Sequence, residues 1–200
     1  MIKATDIQIQ QLKKAITDIN SLGSDCWAEI EPLVYVKKLA KNDYFSKVGQ
    51  LTNDFACVVN GILRNYYIDD KGAEWNKCFF QENNIFTSSI PPEKPAITFI
   101  QALTKTTIVC ISYRKLLSLT AKYNEINLLI QKLSFAYLEQ KQKREISLLT
   151  EEATQNYLTF QKTYPNLEGQ IQHYHIASYL GITPTQLSRL RKKIDNNQHM

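Results

Sequence analysis

The sequence predicts an α+β protein: a small β-barrel or jelly roll, then a long helix, then a compact helical C-terminus. Three observations predict it. Residues 33–112 carry short runs rich in β-branched and aromatic residues, broken by turn signals. Residues 113–164 contain neither Gly nor Pro. Residues 173–194 form two helix-like segments split by Gly181.

The elements follow in chain order. Ile7, Leu12, Ile16 and Ile19 fall near helical spacing, which predicts a helix over 4–21 ended by Gly23. Asp25 is placed to cap a short helix that reaches Ile30, before Pro32. Strands are expected at Leu33-Val34-Tyr35-Val36, Phe55-Ala56-Cys57-Val58-Val59 and Thr107-Ile108-Val109-Cys110-Ile111. Asn42-Asp43, Asn60-Gly61, Asp69-Asp70-Lys71-Gly72 and Pro91-Pro92 read as turns. Residues 62–68 and 74–80, joined by the turn at 69–72, read as a β-hairpin. A long helix is expected over 124–149. Its apolar stripe Ile126, Ile130, Leu133 and Tyr137 suits pairing with a second copy, although the stripe continues into Gln140 and Arg144. Pro165 ends the helical stretch. These signals divide the chain into 1–123, 124–150 and 151–200.

Composition narrows the function classes. The chain of 200 residues is 44% hydrophobic, ordinary for a globular protein, and no run reaches the roughly 20 apolar residues of a membrane helix. Its start, Met1-Ile2-Lys3-Ala4-Thr5-Asp6, lacks a signal-peptide pattern, so a cytoplasmic protein with no membrane partner is expected. Cys26, Cys57, Cys78 and Cys110 are far apart and form no CxxC pair, so they are expected to be reduced and partly buried. His173 and His175 lie two apart and face different sides of a helix. No metal site and no cofactor are expected, and no nucleophile–base or phosphate-loop pattern suggests an enzyme. The net charge is +5, and residues 170–200 alone hold Arg189, Arg191, Lys192 and Lys193 against Asp195.

That last stretch carries the chemistry. Ala177 is small where a second helix would cross, and Gly181 four residues later suits a turn that needs positive φ. Ile176, Leu180, Ile182, Leu187 and Leu190 can face one another. Thr183 is a good N-cap and Pro184 is pre-set for the first turn. The exposed face would then carry Thr185, Gln186, Ser188, Arg189 and Lys192, donors and acceptors suited to base edges and phosphates. The pattern is that of a helix-turn-helix bound to double-stranded DNA.

Ile176-Ala177-Ser178-Tyr179-Leu180-Gly181-Ile182-Thr183-Pro184 and Leu187-Ser188-Arg189-Leu190-Arg191-Lys192-Lys193 resemble the C-terminal domain of CRP/FNR transcription regulators, most of all the branch common in Bacteroidetes. Tyr157-Leu158-Thr159-Phe160, Tyr164-Pro165-Asn166-Leu167 and Ile111-Ser112-Tyr113-Arg114-Lys115-Leu116 resemble that branch too. The resemblance implies a cyclic-nucleotide-binding-like barrel, a dimerisation helix and a winged helix-turn-helix. It implies a homodimer on a palindromic site, with RNA polymerase as a further candidate partner. Within it Arg189 matches the base-reading arginine, with Thr185 and Gln186 beside it; Thr183, Ser188, Arg191 and Lys192 are assigned to phosphates.

The sequence departs from the family in one region. Members that bind cyclic AMP carry a Gly-Glu pair, whose Glu accepts from the ribose hydroxyl, and a following Arg that holds the cyclic phosphate. Here those positions fall on Thr87-Ser88 and on Ala96 or Ile97, and no Arg occurs between Arg64 and Arg114. A protein that does not respond to cyclic nucleotides is expected. Only Cys26 lies in the first fifty residues and no histidine precedes His173, which argues against the family's cysteine-cluster and haem sensors. The alternative is a small-molecule sensor whose effector, a cyclic nucleotide or another compound, sits among Tyr66, Tyr67, Trp75, Phe79 and Phe80; the simpler reading makes those side chains core.

Overall fold

The structure, a computed structural model, describes residues 2–89 and 94–198. The Pro91-Pro92 turn lies outside the described residues. The chain divides into two compact units, Met1–Asn65 with Phe79–Tyr137, and Tyr66–Cys78 with Leu138–Met200. The division falls inside the long helix and assigns the tip of the expected hairpin to the second unit.

The first unit opens with β1 (Ile2–Lys3), then α1 (Asp6–Thr17) and α2 (Ser24–Ile30). Thr5 and Gln8 form a capping box that fixes the start of α1. Gly23, not Asp25, holds the cap position of α2; Asp25 sits in its first turn, where its charge suits the helix dipole. The strands are β2 (Tyr35–Leu39), β3 (Tyr44–Ser46), β4 (Asp54–Asn60), β5 (Leu63–Ile68), β6 (Glu74–Phe80), β7 (Ile85–Phe86), β8 (Phe99–Ala102) and β9 (Thr106–Ser112). They make one sheet of order β1-β2-β9-β4-β7 and another of order β3-β8-β5-β6. The sheets are jelly-roll-like and do not close into a barrel: β6 and β7 end as edges.

Pairing between β4 and β9 sets the core. Antiparallel register places Ala56 opposite Cys110 and Cys57 opposite Val109. Alternation then sends Ala56, Val58, Ile108 and Cys110 into a cluster with Leu63, Phe86 and Ile100 between the sheets. Phe55, Cys57, Val109 and Ile111 point the other way, into a second cluster with Leu12, Ile16, Trp27 and Ile30 of the N-terminal helices. All four cysteines are free, and burial pushes the thiols of Cys26 and Cys57 up to about 11 and about 12, so they behave as inert small hydrophobes.

After β9 come α3 (Tyr113–Ser118), α4 (Asn124–Thr150), α5 (Ala153–Thr163), α6 (His173–Leu180) and α7 (Pro184–Gln198). No helix among the described residues is long and apolar enough to cross a membrane.

Ile126 and Leu129 of α4 are fully buried in the cluster under α1 and α2, and Ile130 and Leu133 pack half-buried against it. Tyr137 is half-buried as well. Ile126, Ile130 and Leu133 of the stripe expected to meet a second copy thus pack on the chain's own core, since the apolar i, i+4, i+7 rhythm that marks a helix pair also marks a helix packed on its own domain. The apolar residues that α4 leaves exposed are different ones: Leu128, Phe135, Leu138, Ile146, Leu148 and Leu149.

Candidate nucleic-acid interface

The second unit is organised around aromatic rings. Phe160 of α5 is fully buried, with Tyr164 and Tyr179 each 5.5 Å away, and Tyr164 meets Tyr179 edge to face at 5.6 Å. Arg144 of α4 stacks its guanidinium 3.6 Å from the Tyr179 ring centroid and donates to the Tyr179 carbonyl. Ile176, Ala177 and Leu180 of α6 and Leu187 of α7 complete the core, with Ile182 and Leu190 half-buried beside them.

The turn Gly181-Ile182-Thr183 is set by local chemistry. Gly181 takes φ of 72°, the left-handed conformation that ends α6, and its amide bonds back to Ser178. Ile182 N–H then bonds to the Ala177 carbonyl at 3.1 Å. Thr183 Oγ1 accepts from Gln186 N at 3.1 Å while Gln186 Oε1 accepts from Thr183 N at 2.8 Å, a complete capping box at the start of α7. Gln186, a reader in the sequence assignment, therefore turns its amide back onto its own helix.

Leu187 alone of the first two turns of α7 is buried. Thr185, Ser188, Arg189 and Lys192 are exposed, and their i, i+3, i+4, i+7 spacing places them on one face. Arg191 lies elsewhere. It is half-buried, its Nε is 2.7 Å from Glu168 Oε1, and its Nη1 is 3.1 Å from His173 Nδ1. Glu168 also accepts from the Tyr157 hydroxyl and from Gln161 Nε2. Burial, then the neighbouring Glu168, push the Tyr157 phenol up to about 12. Sequence reasoning missed Glu168 altogether, since a lone acid in a connector carries no periodic signal.

Between α5 and α6 the connector folds into tight turns, with Asn166 at φ of 63° and Gln170 N–H bonded to the Leu167 carbonyl. No strand follows β9 among the described residues, so the expected wing has no counterpart there.

Neither a family model nor a curated protein matches the sequence. Solved structures do. FixK2 from Bradyrhizobium japonicum superimposes with a TM-score of 0.73 at 14% identity, over 82% of this chain and 86% of that one. The chain shares the fold of that structure. A mutant of CooA from Carboxydothermus hydrogenoformans gives 0.66 at 19% identity, covering 82% and 78% of the two chains. The Xanthomonas campestris global regulator CLP, described as responsive to c-di-GMP, gives 0.63 at 13%, covering 88% and 93%.

The segment after β7 is where the sequence resemblance places the contacts to a cyclic nucleotide. Here Ser88 Oγ donates to the Thr52 carbonyl, Thr87 Oγ1 donates to the Ser89 carbonyl, Ala96 is buried and Ile97 is 80% exposed. Arg64, on β5, is buried and donates through Nε and Nη2 to Gln101 Oε1 at 3.0 and 2.6 Å. The five aromatic side chains considered as a ligand lining do not share one environment. Tyr66 and Phe79 are fully buried, Phe80 stacks on Phe86 at 4.5 Å, Trp75 donates to Asp69, and Tyr67 is exposed.

Proposed function

We propose that the chain is a sequence-specific DNA-binding transcription regulator of the CRP/FNR family, acting in the cytoplasm as a homodimer and without catalytic activity. The observation that carries this reading is the geometry at Gly181: α6 and α7 are joined by a left-handed glycine turn, and the capped helix that follows presents Thr185, Ser188, Arg189 and Lys192 on one open face. α7 is the recognition helix of a helix-turn-helix. Its N-terminal turns enter the major groove of double-stranded DNA, where Arg189 reads guanine and Thr185 and Ser188 add contacts, while Lys192 grips phosphate.

Two copies pair along α4 through Leu128, Phe135 and Leu138. These are exposed, and the seven-residue step from Leu128 to Phe135 with Leu138 three further on is a coiled-coil seam. The pair places its recognition helices in successive major grooves about 34 Å apart on a palindromic site. Cyclic nucleotides are not the effector, since the segment after β7 supplies no Arg or Gly-Glu pair to hold one.

The test is a selection from random duplex DNA with the full-length protein and no added ligand, followed by mobility shift. A palindromic consensus bound at nanomolar concentration supports the reading. Recovery of no consensus, with binding that vanishes at physiological salt, would refute it.

A further inference from the structure

The strand β6 holds α6 through hydrogen bonds to Ser178 and His175. β6 is an edge strand, so the outward N–H and C=O groups of alternate residues lack a strand partner. Ser178 of α6 supplies one. Its Oγ accepts from Asn76 N at 3.0 Å and donates to the Glu74 carbonyl at 2.6 Å, so that one hydroxyl serves both the C=O of residue i and the N–H of residue i+2. One turn earlier, Asn76 Nδ2 donates to the His175 carbonyl at 2.9 Å. Asn76 and His175 are both nearly fully buried at this junction, at 3% and 4% exposure.

The hairpin's own hydrogen bonds brace its turn. Its turn is closed by Asp69, whose carboxylate accepts from Lys71 N, Ala73 N and Trp75 Nε1, each at 2.9 Å. Gly72 supplies the positive φ of 81° that the turn requires. Ser178 and His175 lie three apart on one face of α6, and Ile176, Ala177 and Leu180 lie on the face turned to the helical core. A rigid element on one face of α6 therefore fixes the helix against which α7 packs.

We propose that Asn76 and Ser178 are positioning residues for DNA recognition, through which the hairpin Tyr66–Cys78 gives the helix-turn-helix the lateral support that a wing would give. The DNA-binding module is then discontinuous in sequence, and its affinity depends on residues a hundred positions upstream of the recognition helix. This rests on α7 being the DNA reader, and the experiment separates the two claims.

Ser178→Ala, Asn76→Ala and Ser178→Thr are made in the full-length protein and measured on the selected operator and, without DNA, by amide hydrogen exchange. Ser178→Ala and Asn76→Ala each weaken operator binding about tenfold, the loss of one or two hydrogen bonds at a junction where Asn76 and His175 are buried. Ser178→Thr keeps the hydroxyl and restores binding. The slope of log affinity against log salt stays at the wild-type value, because no phosphate contact has gone. Amides of α6 and α7 exchange faster in the two alanine variants, while those of β4 and β9 keep their protection. Wild-type affinity in both alanine variants, or a rise in exchange spread evenly over β4, β9, α6 and α7, would overturn the proposal. If the wild type bound no DNA, the reader assignment would fail and the exchange data alone would decide whether the hairpin braces α6.

Discussion

Arg191 Nε lies 2.7 Å from Glu168 Oε1, and the same carboxylate accepts from the Tyr157 hydroxyl at 2.9 and 2.8 Å through its two oxygens. One acid in the connector thus ties α7 to α5. Tyr157 makes the tie sensitive to alkali. Its folded pKa is raised from 10 to about 12, so its contribution is complete below pH 10 and is lost as pH rises through about 12. Between those values the wild type should lose stability relative to Tyr157→Phe, because a phenolate would face the Glu168 carboxylate. Urea melts of both proteins at pH 9, 10, 11 and 12 check this, and parallel pH profiles would contradict it.

The same ion pair separates two cations that the sequence placed in one class. Lys192 is exposed on the open face of α7, whereas Arg191 is engaged with Glu168 and His173. Lys192→Ala should lower the salt slope of DNA binding by about one unit per monomer. Arg191→Ala should leave that slope unchanged and instead lower stability by about 0.5–1 kcal/mol, the value of a partly exposed pair. Salt titrations of operator binding, run beside thermal melts, distinguish the two.

Dimerisation should follow the outer face of α4. Phe135→Asp together with Leu138→Asp should give a folded monomer, since both side chains are more than half exposed. Ile130→Asp should instead destabilise the fold, by about 2 kcal/mol or more, because Ile130 packs against the core under α1 and α2. Sedimentation velocity reports the first outcome and urea melts the second. A dimer that survives the double aspartate variant would remove Phe135 and Leu138 from the seam.

The contrast between these residues shows how far the sequence could be read. Strong local signals were legible: the β-branched runs became β4 and β9, the Gly72 turn became the hairpin of β5 and β6, and Gly181 and Thr183 marked the α6–α7 turn. Which side of α4 is covered was not legible, because Ile126 and Leu128 are equally apolar and only the packing of α1 and α2 decides between them. The cap formed by Gln186 was not legible for a similar reason. An amide at N3 of a helix suits a base edge and a Thr cap alike, and the capping box has taken it. Asn76 and Ser178 lie 102 residues apart and meet through a backbone N–H and one hydroxyl, which leave no pattern in one sequence.

The segment after β7 makes a prediction about ligand. It offers Thr87 and Ser88, both engaged with backbone carbonyls, where a cyclic nucleotide would need a carboxylate for its ribose hydroxyl, and it supplies no guanidinium for the phosphate. Titration calorimetry with cyclic AMP and with cyclic GMP should give no heat at micromolar concentration. A micromolar dissociation constant for either nucleotide would show that another group holds the phosphate.

Arg189 is the residue on which sequence discrimination should turn. It is exposed on the second turn of α7, with Thr185 one turn before it and Lys192 one turn after, so these three share the face away from buried Leu187. A guanidinium has the fork geometry to donate to guanine O6 and N7 together, and no other exposed side chain on this face can do so. Arg189→Ala should cost about 1–3 kcal/mol per half-site and relax preference at one base pair, with the rest of the consensus retained. Arg189→Lys keeps the charge but not the fork, so the base preference should not recover, while the salt slope stays at the wild-type value. Selection from random DNA with each variant reads the preference directly. An unchanged consensus and affinity in Arg189→Ala would mean that a different surface of the protein reads the bases.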